Sequence, residues 1–152
     1  MSQWTHVCGC IRIDTLPFVQ RSPERILYSR FGNTVQFNDP PEKWELCTVP
    51  RGTEGSVQYK VVKTAPHYNH MAWGVIYIWG DLRDYESPQA IYEWIKKSCA
   101  NLEADAMTIR DCIVKIDVEY RCNYLVTTKV DNETYGTEFI LIDMDKCEIN
   151  NA

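Results

Sequence analysis

The sequence has few of the patterns that usually mark an enzyme. Its 152 residues contain three histidines, no C-x-x-C pair, no G-x-S-x-G motif and no P-loop, so neither a nucleophile elbow nor a phosphate-binding loop is indicated. No run approaches the roughly 20 apolar residues that span a bilayer, and residues 1–13 lack the pattern of a secretory signal. These absences predict a cytoplasmic protein without membrane segment, cofactor, metal or catalytic activity.

Basic residues are the minority among the charges. The chain has 16 Lys and Arg against 21 Asp and Glu, a net charge of −5. Because general nucleic-acid binding depends on the neutralisation of phosphates, this balance argues against it. An acidic protein instead suits a basic surface on a protein partner. The seven cysteines are an odd number with no secretory signal, which predicts free thiols in a reducing compartment.

The order of the predicted elements indicates one α+β domain over residues 1–152. Alternation of polar and apolar residues predicts strands near residues 4–13, 56–63, 71–79, 111–120, 124–130 and 135–143. Ser-Pro pairs predict a short helix from residue 22 and a long one over residues 87–102. The order βαββαβ is that of a ferredoxin-like plait, an antiparallel sheet with both helices on one face. An additional C-terminal β-hairpin would extend it.

Two stretches are expected to be less regular. Residues 33–55 are rich in turn residues and predict a long irregular insertion, with short extended pieces near residues 34–37 and 44–49. Residues 144–152 predict a loosely held tail. In the long helix, Trp94 and Ile95 are expected to be buried, and Trp94→Ala is expected to cost about 3–5 kcal/mol.

The first candidate site is the sheet face that the helices leave uncovered. If Val7, Ile11, Ile76 and Ile78 face the helices, alternation places five other residues on the opposite face: Trp4, His6, Trp73, Tyr77 and Trp79. An exposed aromatic group of this kind marks a binding surface, and some RNA-binding modules stack bases on one. The alternative is that residues 33–55, the C-terminal strands or a second subunit bury these aromatics.

The second candidate is an anion site made by Arg12, Arg51 and Arg83. Arg83 lies in Gly80-Asp81-Leu82-Arg83-Asp84, just before the long helix, where an anion could bind the helix N-terminus. The alternative is that Asp81 and Asp84 make turn hydrogen bonds and that Arg83 pairs with one of them. With stacking on Trp73 or Trp79, these arginines would suit an oligomeric binder of a nucleotide signal.

The histidines and cysteines give weaker indications. His67 and His70 are three residues apart, but Pro66 indicates a turn rather than a metal-binding helix. The best catalytic combination is His6 with Cys8 or Cys10, which would share one strand face. Residues two apart on a strand are separated by about 7 Å, so such a pairing would be incidental to the alternation.

Two segments resemble small uncharacterised proteins of bacteriophages that infect Gram-positive hosts. They are Trp4-Thr5-His6-Val7, with Gly9, Ile11 and Asp14 after it, and Gly80-Asp81-Leu82-Arg83-Asp84. The resemblance implies a viral accessory protein in the host cytoplasm, of the anti-defence type, which binds and inhibits a host protein such as a defence nuclease. The alternative is an oligomeric binder that sequesters a nucleotide signal. The resemblance carries no active site with it.

Overall fold

Among the residues that the structure describes, one six-stranded antiparallel sheet combines with three helices in an α+β arrangement. The computed structural model describes residues 2–15, 23–63, 72–102, 107–133 and 136–146. The six strands are β1 (Trp4–Thr15), β2 (Gln58–Lys63), β3 (Ala72–Arg83), β4 (Met107–Val118), β5 (Cys122–Val130) and β6 (Thr137–Asp143). The helices are α1 (Pro23–Phe31), α2 (Pro41–Glu45) and α3 (Pro88–Leu102).

All neighbouring strands in the sheet run antiparallel, in the order β2-β3-β1-β4-β5-β6. β1 is therefore central, and β2 and β6 are the two edge strands among the described residues. The predicted antiparallel α+β class is confirmed. α1 and α3 pack against each other and lie on the same face of the sheet, since α3 contacts β4 and β6 and α1 contacts β2.

The alternation in β1 determines which of its side chains form the core. Thr5, Val7, Ile11 and Ile13 are buried beneath the helices, as the sequence predicted. On this same face Gly9 has no side chain, and an added Cβ would overlap the backbone of β4 at Ile113. Glycine at this position therefore allows the two central strands to approach.

α3 begins where its sequence indicates. The Ser87 hydroxyl accepts a hydrogen bond from the Ala90 N–H at 3.2 Å, and Pro88 takes the first helical position. Ile95 is fully buried, as predicted. Trp94 was predicted to be buried as well, but it is only partly buried and packs against the edge of the core. Its ring packs on Phe31, and its indole N–H donates to the Phe31 carbonyl at 2.9 Å.

The structure corrects the predicted bounds of β3 and the extended pieces expected within the 33–55 region. β3 was expected to end at Trp79, with a turn at residues 80–84, but it continues to Arg83 because it pairs with β1 as far as Trp4. Residues 34–37 and 44–49 contain no strand; the helix α2 forms instead over Pro41–Glu45. The 33–55 region is held to the sheet by buried Val35 and by Ser56, whose hydroxyl donates to the Val35 carbonyl at 3.0 Å.

Candidate functional site

The face of the sheet opposite α1 and α3 carries no described helix or loop over its centre. The strand registers arrange its side chains in rows that run across the strands. One row contains Lys60, Tyr77, Cys10, Ile113, Thr127 and Ile140; the next contains Gln58, Trp79, Cys8, Lys115, Leu125 and Ile142. We call these two rows and the side chains flanking them the open face.

The middle of the open face is apolar and accessible. Tyr77 is 47% exposed, Trp79 is 43% exposed and Ile113 is 59% exposed. Their neighbours along the strands, including Ile76, Ile78, Cys112 and Val114, are fully buried on the other face. Among the described residues, neither the 33–55 region nor the C-terminal strands cover the two aromatics. Large accessible apolar side chains grouped on one surface are typical of a binding site.

His6 lies on the open face between two carboxylates from the strands on either side. Its Nδ1 is 2.5 Å from Asp81 Oδ1 of β3, and its Nε2 is 2.7 Å from Glu119 Oε1, just beyond β4. A neutral imidazole has only one N–H, so it cannot donate to both carboxylates. Hydrogen bonds to Asp81 and then to Glu119 raise the pKa of His6 above its usual 6.5. The group is therefore an imidazolium held by two carboxylates.

This end of the open face is acidic. Asp117 lies directly opposite His6 on β4, and the Asp81 side chain is 69% exposed. The three carboxylates of Asp81, Asp117 and Glu119 outnumber the His6 imidazolium, and Arg83 at the same end is paired with Glu54. Trp4, one step further along β1, lies opposite Arg83 and is partly exposed. The open face thus joins an apolar centre to an acidic end.

The structure does not bring the three candidate arginines together. Arg12 and Arg83 lie at opposite ends of the open face, because Arg83 pairs with Trp4 and eight residues, about 26 Å of strand, separate Trp4 from Arg12. Arg12 forms a bidentate ion pair with Asp111, which lowers the pKa of that carboxyl.

Arg83 and Arg51 are engaged locally. Arg83 contacts Glu54 at 2.7 Å and the Ser2 hydroxyl at 2.6 Å, and Asp84 lies at 3.8 Å. Arg51 lies over the ring of Trp44, 5.6 Å from its centroid. Two of the three guanidinium nitrogens of Arg12 and all three of Arg83 already donate to carboxylates or a hydroxyl, so an anion would compete with these contacts.

The proposed thiol–histidine combination does not form. Cys8 and Cys10 lie on the same face as His6, as predicted, but both ring nitrogens of His6 contact carboxylates. Within the described ranges, no three His, Cys, Asp or Glu side chains are placed to hold a metal ion. His67 and His70 lie outside the described residues, and of Trp73 only the backbone is described, opposite Asp14.

Several site residues were not identified from the sequence. Ile113, Leu125, Ile140 and Ile142 continue the apolar surface onto β4, β5 and β6, and Glu119 completes the site of His6. The clean alternation over residues 111–120 already placed Ile113 and Glu119 on one side of a strand. The missing information was which side faces solvent, and only the pairing with β1 decides that.

Comparison with known proteins adds no family to this description. No protein-family model, curated protein or solved structure matches the chain. None of the described helices is both long enough and apolar enough to cross a membrane.

Proposed function

We propose that the protein is a non-enzymatic binding protein whose open face docks on a host protein and inhibits it. The observation that carries this proposal is the group of accessible side chains Tyr77, Trp79 and Ile113 at the centre of a sheet face with no described cover. Tyr and Trp are the residues that most often dominate binding energy at protein interfaces. An apolar centre with a charged border is the usual arrangement of such an interface.

The acidic end indicates the chemistry of the partner. Asp81, Asp117 and Glu119 border the apolar centre, and the whole chain carries a net charge of −5. Proteins that bind nucleic acid have basic surfaces that neutralise phosphates. A defence nuclease of a bacterial host has the complementary charge, and covering its basic surface would exclude its substrate. The resemblance to phage accessory proteins agrees with this role.

We also propose that residues 4–118 adopt a ferredoxin-like plait. The order β2-β3-β1-β4 and the position of α1 and α3 on one face support this assignment. β5 and β6 would then be the additional C-terminal hairpin, and they widen the open face by two strands.

The alternative proposal is an oligomeric binder that sequesters a nucleotide signal. It is supported by the exposed Trp79 and Tyr77, on which a base could stack, with Lys115 in the Trp79 row and Lys60 next to Tyr77. It is weakened by the carboxylate and hydroxyl contacts of Arg12 and Arg83. Calorimetry with cyclic nucleotides and ADP-ribose derivatives tests it, and binding heat that Trp79→Ala abolishes would favour it over the first proposal.

The docking proposal is tested by affinity capture from a bacterial lysate with three variants of the chain. We expect one stoichiometric host protein, and we expect Tyr77→Ala and Trp79→Ala each to reduce its affinity at least about tenfold. Tyr28→Ala is the matched control, because Tyr28 is 65% exposed but lies on α1, on the other side of the sheet. Capture that both open-face variants leave unchanged would contradict the proposal.

The same complex tests the acidic end. We expect added salt to slow association because it screens the attraction between Asp81 or Asp117 and a basic partner. Inhibition of the captured protein is then measured directly, for a nuclease as loss of DNA or RNA cleavage. A partner that binds at full strength while retaining its activity would overturn the inhibitory role.

A further inference from the structure

β6 forms one edge of the sheet, and its pairing with β5 decides which main-chain groups reach that edge. The Asp131 N–H donates to the Gly136 carbonyl at 2.8 Å, and the Met144 N–H donates to the Asn123 carbonyl at 2.9 Å. In an antiparallel pair, hydrogen-bonded and non-hydrogen-bonded positions alternate. The even-numbered residues of β6 therefore bond to β5, and the odd-numbered residues direct their N–H and C=O groups away from it.

α3 reaches this edge through a hydrogen bond from Tyr92. The Tyr92 hydroxyl donates to the outward carbonyl of Phe139 at 2.8 Å. For Leu141, two residues further on, the described part of the chain provides no partner for the outward N–H and C=O. Such unpaired edge groups are a template for pairing with another strand.

The two edges of the sheet differ in their protection. β2 carries Lys60 near its middle, and just before this strand the Val57 N–H donates to the Pro50 carbonyl at 2.9 Å. A lysine and a covering segment both hinder edge pairing. The central residues of β6 are Phe-Ile-Leu-Ile, without charge. β6 is thus the edge at which another strand can be added.

We propose that the protein forms a symmetric homodimer in which β6 pairs antiparallel with β6 of a second copy, centred on Leu141. In this register each Leu141 N–H donates to the Leu141 carbonyl of the partner, so the groups left open on the edge satisfy each other. Ile140 then lies opposite the partner's Ile142 on the open face, and the symmetry produces two such pairs. Such pairs of β-branched side chains stabilise antiparallel strands.

A symmetric register centred on Phe139 is disfavoured. It would place Glu138 opposite the partner's Ile140, so a charged side chain would lie against the apolar centre of the strand. In the register centred on Leu141, Glu138 lies opposite the partner's Met144, and Asp143 lies opposite the partner's Phe139. No two like charges are directly opposed, so this register avoids cross-strand repulsion.

The dimer is expected to be modest in affinity and to enlarge the open face. A strand of seven residues is about 23 Å long, so the contact is smaller than a standard interface of roughly 1,600 Å². The two sheets become one, and Leu125, Ile140 and Ile142 of both copies form a continuous apolar surface. This inference rests on the edge groups and not on the proposed function.

Sedimentation velocity over about a hundredfold range of concentration tests the assembly. We expect the wild-type chain to change from monomer to dimer and Leu141→Pro to remain monomeric throughout. Proline removes the outward N–H of Leu141 but leaves the bonds between β5 and β6, which is why edge strands tolerate it. Circular dichroism verifies that the variant is folded.

A pair of charged substitutions tests the register. Ile142→Lys alone should abolish the dimer, because it places a lysine opposite the partner's Ile140. The double variant Ile140→Glu/Ile142→Lys should restore it, because opposite charges then face each other at both symmetric positions. This test holds even if Leu141→Pro does not fold.

Trp79→Ala serves as the matched control, since it removes a large side chain from the open face but not from the edge. We expect it to leave the dimer intact while weakening the complex with the host protein. The dimer and the docking function can therefore be tested separately. A chain that is monomeric at every concentration would overturn the proposal. So would a dimer that Trp79→Ala dissociates and Leu141→Pro does not.

Discussion

The two faces of the sheet are built from alternate residues of the same strands, yet they differ in what covers them. On β3, Ile76 and Ile78 are buried under the helices, while Tyr77 and Trp79 between them remain nearly half exposed. The helix face contains the core, which folding requires. The apolar residues of the open face have no described neighbours to cover them, so their burial energy remains available for binding. Four measurements test this difference between the faces.

The largest effect is expected in the reactivity of the cysteines. Cys112 is fully buried on the helix face, where burial raises its pKa to about 12, whereas Cys8 is exposed on the open face. Cys112 should react with a thiol reagent only when the protein unfolds, about 10⁴-fold more slowly than Cys8. Mass spectrometry of the alkylated peptides measures both rates. Comparable alkylation rates for Cys112 and Cys8 would mean that the helices do not exclude the reagent from the helix face.

Neighbouring residues on β3 give a direct comparison of stability. Ile78→Ala removes a side chain that is 1% exposed and should lower the free energy of unfolding by about 2–5 kcal/mol. Trp79→Ala removes a larger side chain from the open face and should cost less than about 1 kcal/mol. Urea denaturation of both variants checks the order, and the reverse order would show that the open face is part of the core.

The helix layer itself is tested at Trp94. Because Trp94 is partly exposed, Trp94→Ala should cost about 3 kcal/mol, the lower end of the range for a buried aromatic. The loss combines the contact with Phe31 and the hydrogen bond to its carbonyl. Trp94→Phe keeps an aromatic ring and removes the N–H. Its loss of stability should therefore be smaller and should measure the hydrogen bond separately from the ring contact. Unchanged stability in Trp94→Ala would contradict the packing of α3 on α1.

The smallest effect is expected from His6, on the open face. Its pKa is raised above 6.5 in the folded state, so the stabilisation it provides is fully present below pH 6.5 and is lost as pH rises through the folded-state pKa. The stability difference between wild type and His6→Gln should therefore shrink as the solution becomes alkaline. NMR titration of the ring should give a midpoint above 6.5. A midpoint below it would contradict the contacts with Asp81 and Glu119.

Much of the helix face could be predicted from the sequence, because burial follows a simple period. Alternation placed Val7 and Ile11 in the core, and the prediction for the long helix did the same for Ile95. The errors occurred where tertiary contacts override local signals. Residues 80–83 contain turn residues, but pairing with β1 keeps them in β3. Trp94 fits the apolar stripe of α3, but it lies at the border of the layer.

The open face could be predicted only in part. Alternation correctly grouped His6, Tyr77 and Trp79, since each shares a face with its strand neighbours at steps of two. It could not find the partners of His6, because Asp81 and Glu119 are 75 and 113 residues away in the chain. Arg12, Arg51 and Arg83 were also expected to form one anion site. A linear pattern gives no distance between residues on different strands, so it could not show that they lie apart.

The sequence by itself determined the period of each element, the start of α3 at Ser87 and Pro88, and which residues of a strand share a side. These are local properties, set by backbone geometry and side-chain chemistry over a few residues. The tertiary structure alone decided which side of the sheet the helices cover, the charged state of His6 and the unpaired edge at Leu141. Each of these depends on strand order and register, which bring together residues that no local pattern relates.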